Sequence, residues 1–458
     1  MTLRIHPLSS IALCASLLVA ACTPATNAGA VDAATPSPGA PIASSASPSV
    51  ASIPSSIPAS PTPAPTSALA KAAAGNNLFA SDLSAALGAA SSGSTAANRV
   101  FSPASISGAL AMTFGGARAK TADEMKKALH FDAVLDGPDG AQLHESWQGL
   151  LASWTAEDPK GVELHVANRL FGQTGFAFDP AFLTLTRDHY GAPLQALDFG
   201  SPEPSRKVIN DWVDVQTSHR IVGLLPEGTL DASTRLVLVN AMHLKGAWAT
   251  PFEAGATSKE PFALAGSSPS AKPATVDVDM MHGVFEARFV DTNAAQIVAL
   301  PFYSPSGAHD LELDEIIPKG AAVPVAGADP FGAIGAQLDA SKPRELSLAM
   351  PRFRVQSSFE LAPTLSSMGM PSAFTAAADF SGIDGKKDLY ISHVVHQAML
   401  DVNENGAEAA AATAVVMDEK GLAMPPALSV RADHPFDVAL RDRKTGAVLF
   451  VAHIGDPR

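Results

Sequence analysis

The stretch Asp401-Val-Asn-Glu-Asn-Gly-Ala-Glu-Ala-Ala-Ala-Ala-Thr-Ala-Val-Val416 decides how this chain reads. Its make-up suits either a loop or a strand. Glu404 and Gly406 form a charged, flexible joint, glycine supplying the backbone freedom. Beyond it, Ala407, Ala409, Ala411, Thr413 and Val415 share one face of any strand the segment forms, because side chains alternate with a period of two. That face is small enough to slide between existing strands, with Glu408 on the opposite, solvent side and nothing bulky before Met417. An ordinary surface helix is the competing reading, since alanine has the highest helix propensity of any residue. The rest of the chain has to decide between them.

A chain of 458 residues with 47% hydrophobic content can bury a large core. The net charge of -14 argues against nucleic acid, which is bound mainly through Lys and Arg neutralising phosphates. Both cysteines, Cys14 and Cys22, precede the body of the protein, so the body can form no internal disulfide. Arg4, an apolar run from Ile11 to Ala20 and small residues before Cys22 read as a secretory leader over residues 1–21, too short to cross a bilayer. Residues 22–70 are almost wholly Ala, Pro, Ser and Thr without apolar periodicity, which predicts a disordered tether. About 48 such residues give an r.m.s. span of roughly 40 Å. One domain remains, 71–458.

Within it, Ser102-Pro103 offers an N-cap and a first-turn proline for a helix carrying Ile106, Leu110 and Phe114, ending at Gly115-Gly116. Thr121 and Glu124 have capping-box spacing ahead of Met125 and Leu129. Ser205 is placed to start a helix with Val208, Trp212 and Val215 on one stripe. Arg235 to Leu244 suits a strand covered on both faces, and Leu346 to Val355 alternates. Phe436 to Leu440 and Ala447 to Ala452 flank Arg443-Lys-Thr-Gly446 as a hairpin. Helices first and strands concentrated later predict an α+β fold.

Rival chemistry finds little support. No GxSxG elbow, HExxH, Walker A loop or CxxC occurs in the sequence. Asp401 to Gly406 mimics the opening of an EF-hand loop, but the twelfth position is Ala412 instead of a bidentate glutamate. No metal site and no cofactor are expected.

The hinge Glu404, Gly406, Ala407 and the alanines Ala409 to Ala412 closely resemble those of inhibitory serpins. The resemblance extends in order through Asn98 to Met112, Asn210-Asp-Trp-Val213, Leu236 to Ala241, Lys245-Gly-Ala-Trp248, Asp379-Phe-Ser-Gly-Ile383, Val394 to Ala398 and Asp433-His-Pro-Phe436. It implies three β-sheets, about eight or nine helices and an exposed reactive loop over about 404–426. Val19-Ala-Ala-Cys22 similarly resembles a bacterial lipobox, implying lipidation of Cys22. Since Thr23 is not aspartate, the outer membrane of a Gram-negative cell is the expected destination, with a periplasmic or secreted form as the alternative. Two features depart from the family pattern. His309 to Pro318 carries Asp310, Glu312, Asp314 and Glu315 where an apolar strand is usual, and Ala407 stands where serine or threonine is commoner.

The resemblance implies a suicide inhibitor of serine, or cysteine, proteases, without catalysis of its own. The target attacks the loop to form an acyl-enzyme. The cut loop, with hinge residues Glu404, Gly406, Ala407, Glu408, Ala409, Ala410, Ala411 and Ala412, then enters the central sheet. Family spacing places the reactive bond between Lys420 and Gly421, favouring trypsin-like targets, with Met417 or Leu422 as alternative baits. Ser102, Ser105, Asn240 and His396 are implied to cluster beneath the sheet opening, Trp248 to lie near the first insertion point, and Arg352 to pair with Glu404. A monomer reaching the membrane through the lipid anchor alone is expected. The alternative is a serpin-fold protein that binds a partner without inhibiting; an enzyme of unrecognised type is a remote third.

Overall fold

The computed structural model describes residues 2–5, 66–90, 98–134, 140–156, 158, 161–265, 274–320, 329–407 and 428–458. The chain order opens with β1 (Thr2–Ile5) and the long helix α1 (Thr66–Ala90). Helix α1 starts five residues before the expected boundary at Lys71, because its alanine-rich first turns bury Ala68, Ala72 and Ala73. β2 (Arg99–Phe101) leads into α2 (Pro103–Phe114). Ser102 caps α2 by accepting from the Ser105 N–H, and Pro103 occupies the turn where no donor is required. There follow α3 (Ala119–Ala128), α4 (Ala141–Trp154), β3 (Glu163–Gln173), α5 (Pro180–Tyr190), β4 (Leu194–Leu197) and α6 (Pro202–Gln216). Strands then dominate: β5 (Thr234–Ala247), β6 (Ser258–Ala263), β7 (Thr275–Asp291), β8 (Ala295–Pro301) and β9 (Leu311–Pro318). After α7 (Pro330–Ala340) come β10 (Pro343–Pro351), β11 (Phe353–Glu360), α8 (Ala362–Ser367) and α9 (Ser381–Asp384). The chain ends with β12 (Leu389–His393), β13 (Val395–Asn403), β14 (Gly406–Ala407), β15 (Ser429–Arg431), β16 (Phe436–Asp442) and β17 (Val448–Ile454).

The α+β expectation holds, with nine α-helices among the described residues. Eight strands form the first sheet. β4, β3 and β5 make one flank, β11, β13 and β12 the other, with β14 between β5 and β13 and β1 between β5 and β12. The second sheet runs β15-β10-β7-β8-β9-β16-β17-β2, with β6 on β7. The third sheet implied by the resemblance is continuous with this one, since β7 pairs with β6, β10 and β8 along its length. Helix α2 packs against both β5 and β17, placing it between the sheets. That position explains its composition, because a helix apolar on nearly every side must be buried on nearly every side.

Three local expectations are corrected. Thr121 and Glu124 form no capping box, for α3 begins at Ala119 and Arg118 makes no side-chain cap. Their polar atoms are used across the fold instead: Thr121 Oγ1 accepts from the Asp379 N–H, and Glu124 accepts from the Ser372 N–H and hydroxyl. In α6, which starts at Pro202, the buried face is Ser205, Ile209, Asn210 and Val213, while Val208 and Val215 face solvent. Ser205 donates to the Asp198 carbonyl rather than capping the helix. Finally, the alternating run Leu346 to Val355 is two strands, broken between Pro351 and Phe353.

The acidic segment proves to be an ordinary central strand. β9 pairs with β8 and β16 and is buried almost throughout. Glu312 and Asp314 meet the buried Arg441 guanidinium, which Asp339 also engages, and Arg288 bonds the second oxygen of Glu312. Glu315 faces the opposite way. Both its oxygens lack a hydrogen-bond partner, and burial pushes its carboxyl up to about 8.

Candidate functional site

The sheet opening is a product of backbone pairing. β14 is antiparallel to both neighbours, with Gly406 opposite Ala247 and Asn403, and Ala407 opposite Gly246 and Val402. Hinge residues Gly406 and Ala407 are therefore already a strand between β5 and β13. Below them, the next strand registered on the inner edge of β5 is β1, which starts opposite Val237.

The joint above β14 is tightly held. Trp248 and Phe252 donate their backbone N–H groups to the carbonyls of Asn405 and Glu404, each at 2.9 Å. The Trp248 indole donates to the Asn403 carbonyl at 3.0 Å while its ring packs on Phe302. Glu404 is buried, and its Oε1 accepts from Arg352 at 2.5 Å and from the Thr257 hydroxyl at 2.7 Å. Burial alone would raise this carboxyl; the hydrogen bonds from Arg352 and Thr257 outweigh it and hold the group below the usual carboxylate range. Gly406 has φ +146°, and a Cβ there would lie 2.1 Å from the Gly246 carbonyl oxygen. Only glycine fits.

Beneath the opening, α2 meets the sheet through a chain of polar groups. The Ser102 N–H donates to His396 Nε2 at 3.0 Å, and the Ser102 hydroxyl donates to the Leu449 carbonyl at 2.7 Å. Ser105 donates to Asn240 Oδ1 at 2.5 Å, Asn240 to Asn168 Oδ1 at 2.6 Å, and Asn168 to the Tyr190 carbonyl at 2.8 Å. Burial pushes the His396 imidazole down to about 3, so it is neutral at physiological pH and can accept. A void of about 10 Å³ touches Ser102, Ser105, Asn240, Met242 and His396, room for about one water. The network thus links one helix to the strands on both sides of the gap.

The inward face of β13 is His396, Ala398, Leu400 and Val402, alternating with residues less deeply buried. Residues directly opposite in a sheet point to the same side. Continuing the β14 register residue for residue puts Ala409 opposite Leu400 and Leu244, Ala411 opposite Ala398 and Met242, and Thr413 opposite His396 and Asn240. The small-residue face would enter the core, and Glu408 would emerge on the outside between Asp401 and Lys245.

Comparison with known proteins agrees with this geometry. A family model described as Serpin (serine protease inhibitor) matches residues 74–457. The chain belongs to the serpin family. Leukocyte elastase inhibitor of Bos taurus is 36% identical over 398 residues, covering 84% of this serpin and 99% of the relative. Among solved structures, Cleaved Serpin 42Da superposes with a TM-score of 0.71 at 26% identity, covering 85% of this serpin and all 100% of that chain. Human thyroxine-binding globulin complexed with its ligand superposes at TM-score 0.73 and 25% identity, covering 85% and 99% of the two chains. This serpin is accordingly of the protease-inhibitor class and not an enzyme.

The structure brings Ser102, Ser105, Asn240 and His396 into one network and Trp248, Arg352, Glu404, Gly406 and Ala407 into the joint above it. Glu408, Ala409, Ala410, Ala411, Ala412, Met417, Lys420, Gly421 and Leu422 lie outside the described residues, as do Cys14 and Cys22. Sequence reasoning missed Asn168 and Thr257. Each is a lone polar residue with no periodic signal, identified only by its partner across the fold.

Proposed function

We propose that this serpin inhibits its target by the insertion mechanism. A trypsin-like protease attacks the Lys420–Gly421 bond, and its catalytic serine becomes acylated by Lys420 as the amide breaks and Gly421 leaves as a new amino terminus. The freed strand then runs down between β5 and β13 from Ala407, carrying the acyl-enzyme with it before water can deacylate it. The observation that carries this reading is the pairing of Gly406 and Ala407 with both flanks of the opening. Insertion needs only to continue a strand that exists, in a register that turns its small side chains inward.

Lipidation of Cys22 and display of the domain on a long tether at the outer membrane of a Gram-negative cell belong to the same proposal. Their support is the leader, the Val19-Ala-Ala-Cys22 site and the Ala/Pro/Ser composition that follows. The domain acts as a monomer, since one chain supplies both the loop and the opening.

The alternative, a serpin fold that binds without inhibiting, is less well supported. A cavity of about 220 Å³ between α1, α7 and β16 is smaller than the usual small-molecule site, and its Arg441 and Asp339 bond each other. A hinge for binding alone has no need of glycine at Gly406 or of small residues on one alternating face.

Mixing the protein with trypsin, chymotrypsin, elastase and subtilisin in turn, followed by denaturing gels and mass spectrometry, tests the proposal. A denaturant-stable complex with a released peptide beginning at Gly421 supports it. Loop cleavage that leaves every protease active contradicts it and favours the binding reading.

A further inference from the structure

The lower end of the opening is already filled, and by the chain's own amino terminus. β1 is antiparallel to β5, with Thr2 opposite Val237, Leu3 opposite Leu236 and Arg4 opposite Thr234. On its other edge it is antiparallel to β12, with Thr2 opposite His393, Leu3 opposite Ile391, Arg4 opposite Tyr390 and Ile5 opposite Leu389. β1 therefore runs in the same direction as β14 and occupies the same slot.

The register shows what β1 displaces. Continued downward from Gly406 and Ala407, the inserting loop would bring Val416 opposite Val237 and His393, and Glu419 opposite Thr234 and Tyr390. Lys420 would arrive opposite Leu389. These partners are held by Thr2, Arg4 and Ile5. With β1 in place opposite Val237, the loop can extend no further than residue 415, so that at most residues 408–415 enter. At roughly 3.3 Å per residue that is about 26 Å of travel, against about 43 Å for insertion as far as Lys420. Each backbone edge in a sheet accepts one partner strand, so the two occupants are mutually exclusive.

We propose that residues Thr2–Ile5 plug the lower half of the central sheet in the unprocessed chain and hold it in a form that is cut by proteases without trapping them. Removal of the leader ahead of Cys22 empties those positions and makes the full insertion path available, so that export and activation become one event. The blocking step rests on the insertion mechanism proposed above; the occupancy of the slot does not.

The test uses the chain Met1–Arg458, made by cell-free synthesis so that no leader is removed, beside the same chain carrying Leu3→Pro. Proline cannot donate to a ladder and so breaks β1, while its place near the amino terminus leaves the remaining fold untouched. Hydrogen exchange without protease reads occupancy directly. Amides of residues 235–238 and 389–393 should exchange at least about tenfold faster in Leu3→Pro, and adding a synthetic peptide of residues 1–6 should restore their protection. Equal exchange in the two chains overturns the proposal. With trypsin, the covalent complex should be a minor product of the intact chain and the major product of Leu3→Pro; equal trapping overturns the blocking role. Faster exchange with no trapping by either chain leaves the plug standing and removes the insertion mechanism instead.

Discussion

Replacing Ala407 by arginine would place a charge at the first position of insertion. Ala407 is 2% exposed and sits between Gly246 and Val402. Two outcomes are open to the variant. The arginine stays and loses its hydration, at an effective cost of several kcal/mol for an unpaired buried ion. Otherwise Gly406 and Ala407 leave the sheet and forfeit backbone hydrogen bonds worth about 0.5–1.5 kcal/mol each. The second costs less, so residue 407 starts outside the sheet, and burying its guanidinium during insertion then raises that step by about 3–5 kcal/mol, which slows it by about 10²–10⁴-fold. Attack on Lys420 and deacylation are unaffected, since both occur far downstream in the chain. Hydrolysis should therefore win the competition. With trypsin, the chain without residues 1–21 should give mostly covalent complex on a denaturing gel, whereas the same chain carrying Ala407→Arg should give cleaved inhibitor and fully recovered trypsin activity. Ala407→Ser, small and uncharged, should behave as the parent chain. Equal yields of complex from the parent chain and Ala407→Arg would refute the reasoning.

Other consequences follow from the same geometry. Gly406→Ala places a Cβ against the Gly246 carbonyl, so β14 should detach, read as faster exchange of the residue 404–407 amides and a lower yield of complex. Glu315 is raised from 4.5 to about 8 in the folded state, so between those values the unfolded chain is ionised while the native one keeps its proton. Stability should fall as pH rises through this window, by up to about 1.4 kcal/mol per pH unit, and Glu315→Gln should remove that slope in unfolding curves taken from pH 5 to 8. Arg441→Met leaves Glu312 and Asp314 without their shared counter-ion in a buried strand and should cost about 3–5 kcal/mol in denaturant unfolding. A loss under 1 kcal/mol would mean that the acids are neutral without it.

The sequence was most legible where a signal is local and periodic. Gly406 and Ala407 read as part of a strand and form β14, and Ser102-Pro103 announces the start of α2. It was least legible where side chains choose distant partners. Thr121 and Glu124 have the spacing of a cap, but Asp379 and Ser372, roughly 250 residues away, take their oxygens. The acids of β9 look unsuited to a buried strand until Arg441, more than 120 residues later, is brought beside them. In α6, two stripes at helical spacing competed. Ile209 and Val213 won the core, leaving Val208 and Val215 outside, while Trp212 stacks under Arg169 and against Phe171. Arg4 read as the charged head of a leader; nothing in Thr2–Ile5 announces two waiting strand edges 230 and 390 residues away.

The central claim is that the cut loop becomes a strand of the first sheet, and the structure of the loop-cleaved protein tests it most directly. The account predicts a strand over 408–415 between β5 and β13, with Ala409 opposite Leu244, Ala411 opposite Met242 and Thr413 above the Asn240–His396 network, whichever amino terminus the chain carries. A cleaved chain whose pairing still stops at Ala407, with the inner edges of β5 and β13 unjoined, would contradict it.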